Sequence, residues 1–222
     1  MTLKLYHFMD AQYLVDSILK NRMKLSTFHN LNDPYEVMPD MVDENGCHAP
    51  AVLVRHHTQS MLKNTGLFCM SSKGSSPAMW AHYANRHRGA ALELHFDGLN
   101  DGDLLHVNYS DQRVVDSPEL DLSIAAVRDK HIPKILRTKA KCWEYEDEYR
   151  WVFPMSRDDV FLCDDGLLYR RLPEQLKRII LGFDCKILEG LVRKALDQVG
   201  FCDVRVARAK LSESDFNVVI DP

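Results

Sequence analysis

Apolar and polar positions alternate along several short stretches of the chain, as they do in strands with one buried face. Leu3 to Phe8 is the first such stretch, and Gly89 to Phe96 is a later one. Residues 11–20 instead place their apolar side chains at helical spacing, with Asp10 available to cap the helix. The chain therefore begins as a strand followed by a helix.

Beyond these segments the pattern predicts more strands than helices. Further helices are predicted over residues 49–64, 77–85, 119–136 and 186–199, and further strands over residues 23–27, 66–71, 104–109, 149–153, 179–181, 204–207 and 216–220. The two kinds of element do not alternate regularly, which favours an α+β fold with mixed, mainly antiparallel sheets and flanking helices over a doubly wound parallel sheet. No linker or internal repeat interrupts the 222 residues, so one domain spanning residues 1–222 is predicted.

Composition narrows the class of protein. The chain is 45% hydrophobic and has a net charge of −4, so it can bury a sizeable core but has no overall basic field for nucleic acid. No stretch approaches the roughly 18 apolar residues of a membrane span, and the N-terminus lacks a secretory core. A cytoplasmic protein without a membrane partner is expected. Its six scattered cysteines are expected to be reduced and mostly buried.

One segment, WEYEDEYR followed by WVF, is both acidic and aromatic. On a strand, Tyr149, Trp151 and Phe153 share one large apolar face, while Glu148 and Arg150 share the other. The first face is predicted to lie in the core. The alternative for the second face is a solvated surface on which Glu148 merely pairs with Arg150.

The two glutamates of this segment are the best candidates for chemistry. If the extended conformation begins before Glu148, Glu146 lies on the same face, one strand repeat or roughly 7 Å away. Such a pair of carboxylates suits the stabilisation of positive charge at a sugar carbon and the activation of an attacking group.

A second cluster combines hydroxyl groups with aromatic rings. Ser71 and Ser72 follow a predicted buried strand, where their hydroxyls can orient a neighbouring carboxylate. Trp80 and Tyr83 lie one helical turn apart and can form a wall for a flat ring, with His82 beside them. The alternatives are ordinary helix packing for Trp80 and a structural role for His82.

A third cluster lies near the N-terminus. His7 lies on the first predicted strand, with Tyr6 next to it, and can hold a ribose or phosphate oxygen. Asn32 and Asp33 can contribute to the same site. The alternative is that these two residues, which precede a proline, simply form a turn.

The order of these clusters resembles that of ADP-ribosyltransferases, whose families read R-S-E or H-Y-E. Tyr6-His7 before a helix is similar to the opening of the H-Y-E type, Ser71-Ser72 falls where the serine strand of the R-S-E type lies, and Glu146-Asp147-Glu148 is similar to their Glu-x-Glu strand. The resemblance implies a split β core, with NAD as the substrate.

The resemblance also implies a role for each residue. Glu148 stabilises the positive charge that forms as the nicotinamide–ribose bond breaks, and Ser71 or Ser72 orients it. Glu146 positions the acceptor, and the implied mechanism requires no metal. On the ligand side, His7 binds the adenosine part, and Tyr83 or Trp80 stacks on nicotinamide.

Most of the chain also resembles an uncharacterised bacterial family, a domain of unknown function. The motifs that carry this resemblance include LNDP at residues 31–34, FCMS at residues 68–71, MWAHY at residues 79–83 and WEYEDEYR at residues 143–150. This resemblance names a fold family and implies no activity.

Three functions are compatible with these patterns. The first is an NAD-consuming transferase or glycohydrolase that passes ADP-ribose to a protein or nucleic-acid acceptor. The second is a non-catalytic module that keeps the pocket for a ligand or partner. The third is a nuclease using Glu146, Glu148 and His82, for which no metal constellation is evident. The acceptor, the oligomeric state and the pathway stay open, with toxin, phage-defence and housekeeping roles among the options.

Overall fold

The computed structural model describes residues 2–42, 45–97, 104–113, 115–116 and 132–220. Its helices are α1 (Leu14–Leu19), α2 (Ala51–Met61), α3 (Pro77–Tyr83), α4 (described over residues 132–137) and α5 (Glu189–Gln198). Short 3-10 segments cover Ala11–Tyr13, Phe28–Asn30 and Lys141–Glu146. The strands are β1 (Thr2–Met9), β2 (Arg22–Lys24), β3 (Asp40–Met41), β4 (Thr65–Ser71), β5 (Ala90–Asp97), β6 (Leu104–His106), β7 (Asn108–Ser110), β8 (Val115–Asp116), β9 (Thr138–Ala140), β10 (Glu148–Pro154), β11 (Val160–Leu162), β12 (Leu168–Arg171), β13 (Leu176–Leu181), β14 (Arg205–Arg208), β15 (Lys210–Leu211) and β16 (Val218–Val219).

The largest sheet has seven strands in the order β14-β13-β5-β1-β4-β10-β6. Its neighbouring strands are antiparallel except β13 and β14, which are parallel. The predicted α+β class with mainly antiparallel sheets is therefore confirmed. The division into one domain over residues 1–222 stays a prediction.

The helix starts follow from local sequence. The side chain of Asp10 accepts a hydrogen bond from the backbone N–H of Gln12 at 3.0 Å, which caps the 3-10 turn leading into α1. At α3, Pro77 occupies the first turn and the hydroxyl of Ser76 accepts from the N–H of Met79. Of the helix predicted over residues 119–136, residues 119–131 lie outside the described residues.

The main core lies between one face of the sheet and helices α1 and α5. Trp151 and Phe153 of β10 point into it, and Tyr149 packs against it half-buried. The alternation predicted for this strand is therefore present, with its aromatic face in the core. The opposite face carries Glu148 and Arg150, which are also buried, so the interpretation of that face as open and solvated is wrong.

On that second face, a row of polar residues crosses five strands. Arg178 of β13 is opposite Glu93 of β5, which is opposite Tyr6 of β1; Tyr6 is opposite Ser71 of β4, which is opposite Glu148 of β10. Directly opposed residues of antiparallel strands point to the same face. The row therefore brings side chains from five parts of the sequence onto one surface of the sheet.

The sheet is weakly joined between β1 and β4. Tyr6 and Ser71 are the one registered pair of these two strands among the described residues. Further along β4, Leu67 exchanges backbone hydrogen bonds with Ser26, which lies outside the sheet strands. The two central strands diverge beyond the Tyr6–Ser71 pair, and this divergence leaves room for side chains and cavities.

Two further findings concern the exposure of the cysteines and the length of the helices. The expectation that the cysteines are mostly buried is wrong. Cys185 is buried and Cys69 and Cys163 are half-buried, whereas Cys47, Cys142 and Cys202 are exposed, because these three lie in surface loops or the 3-10 segment. Across the described residues, every helix is too short or too polar to cross a membrane.

Candidate functional site

A cavity of about 280 Å³ lies on the polar face of the sheet, at the divergence of β1 and β4. We call it the acidic cavity, because three glutamate side chains contribute to its wall. Among its lining residues are six that the sequence singled out, namely Tyr6, His7, Ser71, Tyr83, Glu146 and Glu148. Asn32 of the LNDP motif also lines it, although Asp33 forms the turn expected there, accepting from the N–H of Tyr35 at 2.9 Å.

Glu146 and Glu148 converge on one buried cation. The Nζ of Lys139 in β9 donates to Glu146 at 2.5 Å and to Glu148 at 2.9 Å. The two carboxylates are therefore closer together than the roughly 7 Å of a strand repeat. Glu146 is not on the strand at all, because it ends a 3-10 segment and Asp147 follows in the left-handed conformation at φ 43°.

Arg150 extends this network behind the cavity wall. Its guanidinium is fully buried and donates to both oxygens of Glu148 at 3.0 Å, to the carbonyl of Leu136 at 2.9 Å, and to Glu36. Glu36 also lines the cavity, 3.7 Å from the Lys139 ammonium. Within the described parts of the chain, no three His, Cys, Asp or Glu side chains are arranged to hold a metal ion.

The charges in this network stabilise one another. Burial alone would lower the pKa of Lys139, but the Glu148 and Glu146 carboxylates raise it overall, so the amine stays protonated. Burial lowers the pKa of Arg150 to about 9, which still leaves the guanidinium charged at neutral pH. Burial raises the pKa of Glu148, and Lys139 opposes that shift. The network is therefore a set of buried ions whose charges depend on their partners.

Tyr83 closes one side of the cavity through polar contacts. Its hydroxyl donates to the Glu146 carboxylate and accepts from the side-chain N–H of Asn32 at 3.1 Å. Burial and the neighbouring Glu146 raise the pKa of Tyr83, so it remains a phenol. Tyr83 is thus a hydrogen-bonded wall of the cavity and fixes one oxygen of Glu146.

The two serines hold the backbone of the acidic segment. Ser71 donates its hydroxyl hydrogen to the carbonyl of Glu146 and accepts from the N–H of Lys73 at 2.9 Å. Ser72 donates to the side chain of Asp147 and does not line the cavity. The resemblance implied that a serine orients the Glu148 carboxylate. The structure instead shows hydroxyls that fix the turn between the two glutamates.

Trp80 and His82 do not line the acidic cavity. Trp80 is fully buried in a separate cluster, packs edge-to-face on Phe8 at 5.2 Å between ring centroids, and donates its indole N–H to the carbonyl of Gly74 at 2.8 Å. His82 is exposed, with its ring 6.1 Å from that of Tyr145. The predicted ligand contacts of Trp80 and His82 are therefore not supported by their positions.

His7 lies where the two central strands diverge. Its Nδ1 is 2.8 Å from the carbonyl of Cys69, so Nδ1 carries the proton and Nε2 is left as an acceptor. The ring stacks on Phe68 at 4.0 Å between centroids. Burial lowers the pKa of His7 to about 4, so this side chain is neutral at physiological pH.

This lowered pKa predicts acid-sensitive stability. His7 ordinarily titrates at 6.5 and in the folded chain at about 4, so between these values the unfolded chain binds more protons and stability falls as the pH falls. The melting temperature of the wild type is expected to drop more between pH 7 and pH 4.5 than that of His7→Gln. Parallel pH profiles of the two proteins would show that His7 is not held neutral.

A second cavity of about 280 Å³ adjoins the first. The two share His7 and Ser26 in their linings. The second is largely apolar, with Leu14, Ile18 and Leu92 among its walls, and we call it the apolar cavity. Its lining also contains basic residues, Arg22 and Lys24, the former stacked 3.9 Å from the ring centroid of Tyr169.

Sequence reasoning missed Glu36 and Lys139, and it considered Arg150 only as the partner of Glu148 on an exposed face, which was the alternative interpretation. Glu36 lies in a loop two residues after the LNDP motif, and Lys139 lies seven residues before Glu146. Both residues lie outside the predicted helices and strands, so no periodic pattern connects them with the acidic segment. The sequence feature that could have indicated this buried network was the presence of charged residues next to an alternating aromatic strand.

Comparison with known proteins addresses the family and not the activity. No curated protein and no solved structure matches the chain. Residues 79–151, about a third of the 222 residues, match the model of a family described as Protein of unknown function (DUF2971). The matched segment begins at the start of the MWAHY motif and includes the whole of WEYEDEYR. The match therefore supports the predicted resemblance to an uncharacterised family, a domain of unknown function, over this part of the chain.

Proposed function

We propose that the chain is an ADP-ribosyltransferase-like protein that cleaves the nicotinamide–ribose bond of NAD and transfers ADP-ribose to a macromolecular acceptor or to water. The observation that carries the proposal is the convergence of His7, Ser71 and Glu148, which are far apart in sequence, on one cavity. Their order along the chain is the one on which the resemblance to ADP-ribosyltransferases rests. The divergence of β1 and β4 at this point also supports a split β core.

The chemistry of the cavity suits this reaction. Cleavage of the nicotinamide–ribose bond develops positive charge on the ribose, as in glycoside hydrolysis. Glu148 is fixed by Lys139 and Arg150, so its carboxylate is already oriented before the ligand enters. Preorganised charge of this kind stabilises a transition state without rearrangement of the site. In this proposal Glu148 acts on the ribose, while Glu146, held by Tyr83, positions the acceptor.

The adjoining apolar cavity extends the proposal to the rest of NAD. His7 and Ser26 border both cavities, so a ligand longer than one cavity passes between these residues. The unprotonated Nε2 of His7 can accept a hydrogen bond from a ribose hydroxyl. We place the nicotinamide ribose in the acidic cavity and the adenosine part toward the apolar cavity.

A non-catalytic binding module is the second candidate, and one observation favours it. Both oxygens of Glu148 accept hydrogen bonds from Arg150, and one of them also accepts from Lys139. A carboxylate with two cationic partners exerts a weaker field on a ligand than an unpaired one does. A module of this kind would hold NAD or a related nucleotide without breaking it.

The test is release of nicotinamide from NAD by the purified protein, with NAD binding measured in parallel by calorimetry. Release that depends on the protein, with or without added protein or nucleic-acid acceptors, is expected. The variant Glu144→Gln is the matched control for replacing a glutamate of the acidic cavity, because Glu144 is an exposed glutamate of the same segment, paired with Lys141. It is expected to release nicotinamide as the wild type does. Binding without release supports the module, and absence of both contradicts the two proposals together.

A further inference from the structure

The acidic cavity carries more negative than positive charge. Glu36, Glu146 and Glu148 belong to its lining, and Lys139 is the cationic side chain among the lining residues that the structure describes. Arg150, behind the wall, supplies a second positive charge. When all five groups are ionised, three carboxylates face two cations. The five groups then carry a net charge of −1, although each carboxylate has a cationic neighbour.

Glu36 is the carboxylate that has an oxygen to spare. Its side chain is 2% exposed, and its Oε1 accepts from Arg150. Its Oε2 is buried and accepts no hydrogen bond from the described part of the chain. A buried acceptor without a donor is destabilising, because it has lost its hydrogen bonds to water. A ligand that donates to this oxygen removes that cost, whereas the oxygens of Glu148 are already engaged.

A neighbouring carboxylate, Asp33, adds to the surplus of negative charge. Asp33 is also buried, and its charge acts on Arg150, which is thereby shared among more than two carboxylates. Burial raises the pKa of Glu148, and Glu146 raises it further although Lys139 opposes the shift. A bound cation would offset the same surplus, because opposite charge favours the ionised carboxylates.

We infer that the acidic cavity selects a ligand with a single positive charge and a hydrogen-bond donor, with Glu36 as its principal contact. In NAD, this ligand is the oxidised pyridinium ring with its carboxamide, so NAD⁺ is preferred over NADH, whose ring is neutral. The link to NAD rests on the proposed function. The preference for a cation rests on the charges and the unpartnered oxygen alone.

The same charges argue against an anionic occupant. A phosphate in this cavity would need a cation that is not already neutralised. Lys139 is engaged by Glu146 and Glu148, and Arg150 by Glu36 and Glu148. The phosphates of a dinucleotide therefore lie outside this cavity, and the pyridinium end lies inside it.

The test compares 1-methylnicotinamide, a cation, with neutral nicotinamide, titrated by calorimetry into the wild type and Glu36→Gln. The wild type is expected to bind the cation at least tenfold more tightly than the neutral ring. Glu36→Gln keeps the shape and loses the charge, so the preference is expected to fall below about twofold, with nicotinamide affinity nearly unchanged. Glu144→Gln, the exposed control, is expected to keep the wild-type preference.

Three results overturn the inference: equal affinity of the wild type for the two rings, no binding of either ring, or an unchanged preference in Glu36→Gln. If Glu36→Gln does not fold, competition of NAD⁺ against NADH on the wild type decides, and equal affinity overturns the inference. The cation preference is separate from catalysis. Cation binding without nicotinamide release defeats the proposed reaction alone, whereas release without a cation preference defeats this inference alone.

Discussion

Replacing Glu148 with glutamine is expected to lower nicotinamide release from NAD at least about a hundredfold. The change preserves shape but removes the charge that stabilises the developing positive ribose, and removing one preorganised electrostatic group typically costs this much. Because the interaction strengthens in the transition state, turnover should fall more than NAD affinity. Glu146→Gln should instead weaken transfer to the acceptor and spare plain hydrolysis of NAD.

Glu148→Gln should also lower the stability of the fold. This loss distinguishes a buried Glu148 from a glutamate on an exposed strand. Glu148 is buried and accepts from Arg150 and Lys139, so its loss leaves buried cations undercompensated. Breaking a buried ion pair costs about 3–5 kcal/mol, against less than about 1 kcal/mol for an exposed pair. Nicotinamide release must therefore be measured well below the melting temperature of the variant. A folded Glu148→Gln protein with the wild-type rate would exclude Glu148 as the catalytic residue.

Trp151→Ala is expected to destabilise the fold by about 3–5 kcal/mol, the range for truncating a buried aromatic residue. Trp151 is 5% exposed and packs against Phe96 and Phe153 at 5.1 and 4.9 Å between ring centroids. The surrounding sheet cannot close fully over the space left by an indole, so the variant loses both burial and contacts. Urea unfolding monitored by circular dichroism measures the change in free energy.

Phe216→Ala is the matched control for this experiment, because Phe216 is 98% exposed. Removing its ring should change the free energy of unfolding by less than about 0.5 kcal/mol. If both variants unfold at the wild-type urea concentration, β10 does not pack as described. A lower free energy of unfolding in Trp151→Ala alone would support the assignment of the aromatic face to the main core.

The local sequence pattern was sufficient to predict the elements whose burial alternates or whose first turn has a characteristic residue. The alternation of Trp151 and Phe153 with Arg150 predicted β10, and Pro77 predicted the start of α3. The strand order and the pairing of β1 with β4 and β5 depend on contacts between distant segments. Periodicity within one segment contains no information on which strand it will pair with.

The site was predictable only in part, for a related reason. The turn at Asp147 was not foreseen, because a left-handed residue other than glycine leaves little trace in a sequence. That turn, and not an extended strand, brings Glu146 and Glu148 to the same ammonium group. For Trp80, the sequence suggested a ligand contact that the structure does not show. An aromatic residue at helical spacing suits a ligand wall and a core equally well, and Trp80 is in a core cluster.

The acidic cavity is assembled from the first strand, the loop that carries Glu36, the end of β4 and the segment from Lys139 to Glu148. A denatured chain has no such arrangement, so a ligand of this cavity binds the native state alone. By linkage, a ligand at a hundred times its dissociation constant raises the free energy of unfolding by about 2.7 kcal/mol. Thermal shift across a panel of nucleotides and small cations is thus a direct way to find the natural ligand, and it requires no assumption about turnover.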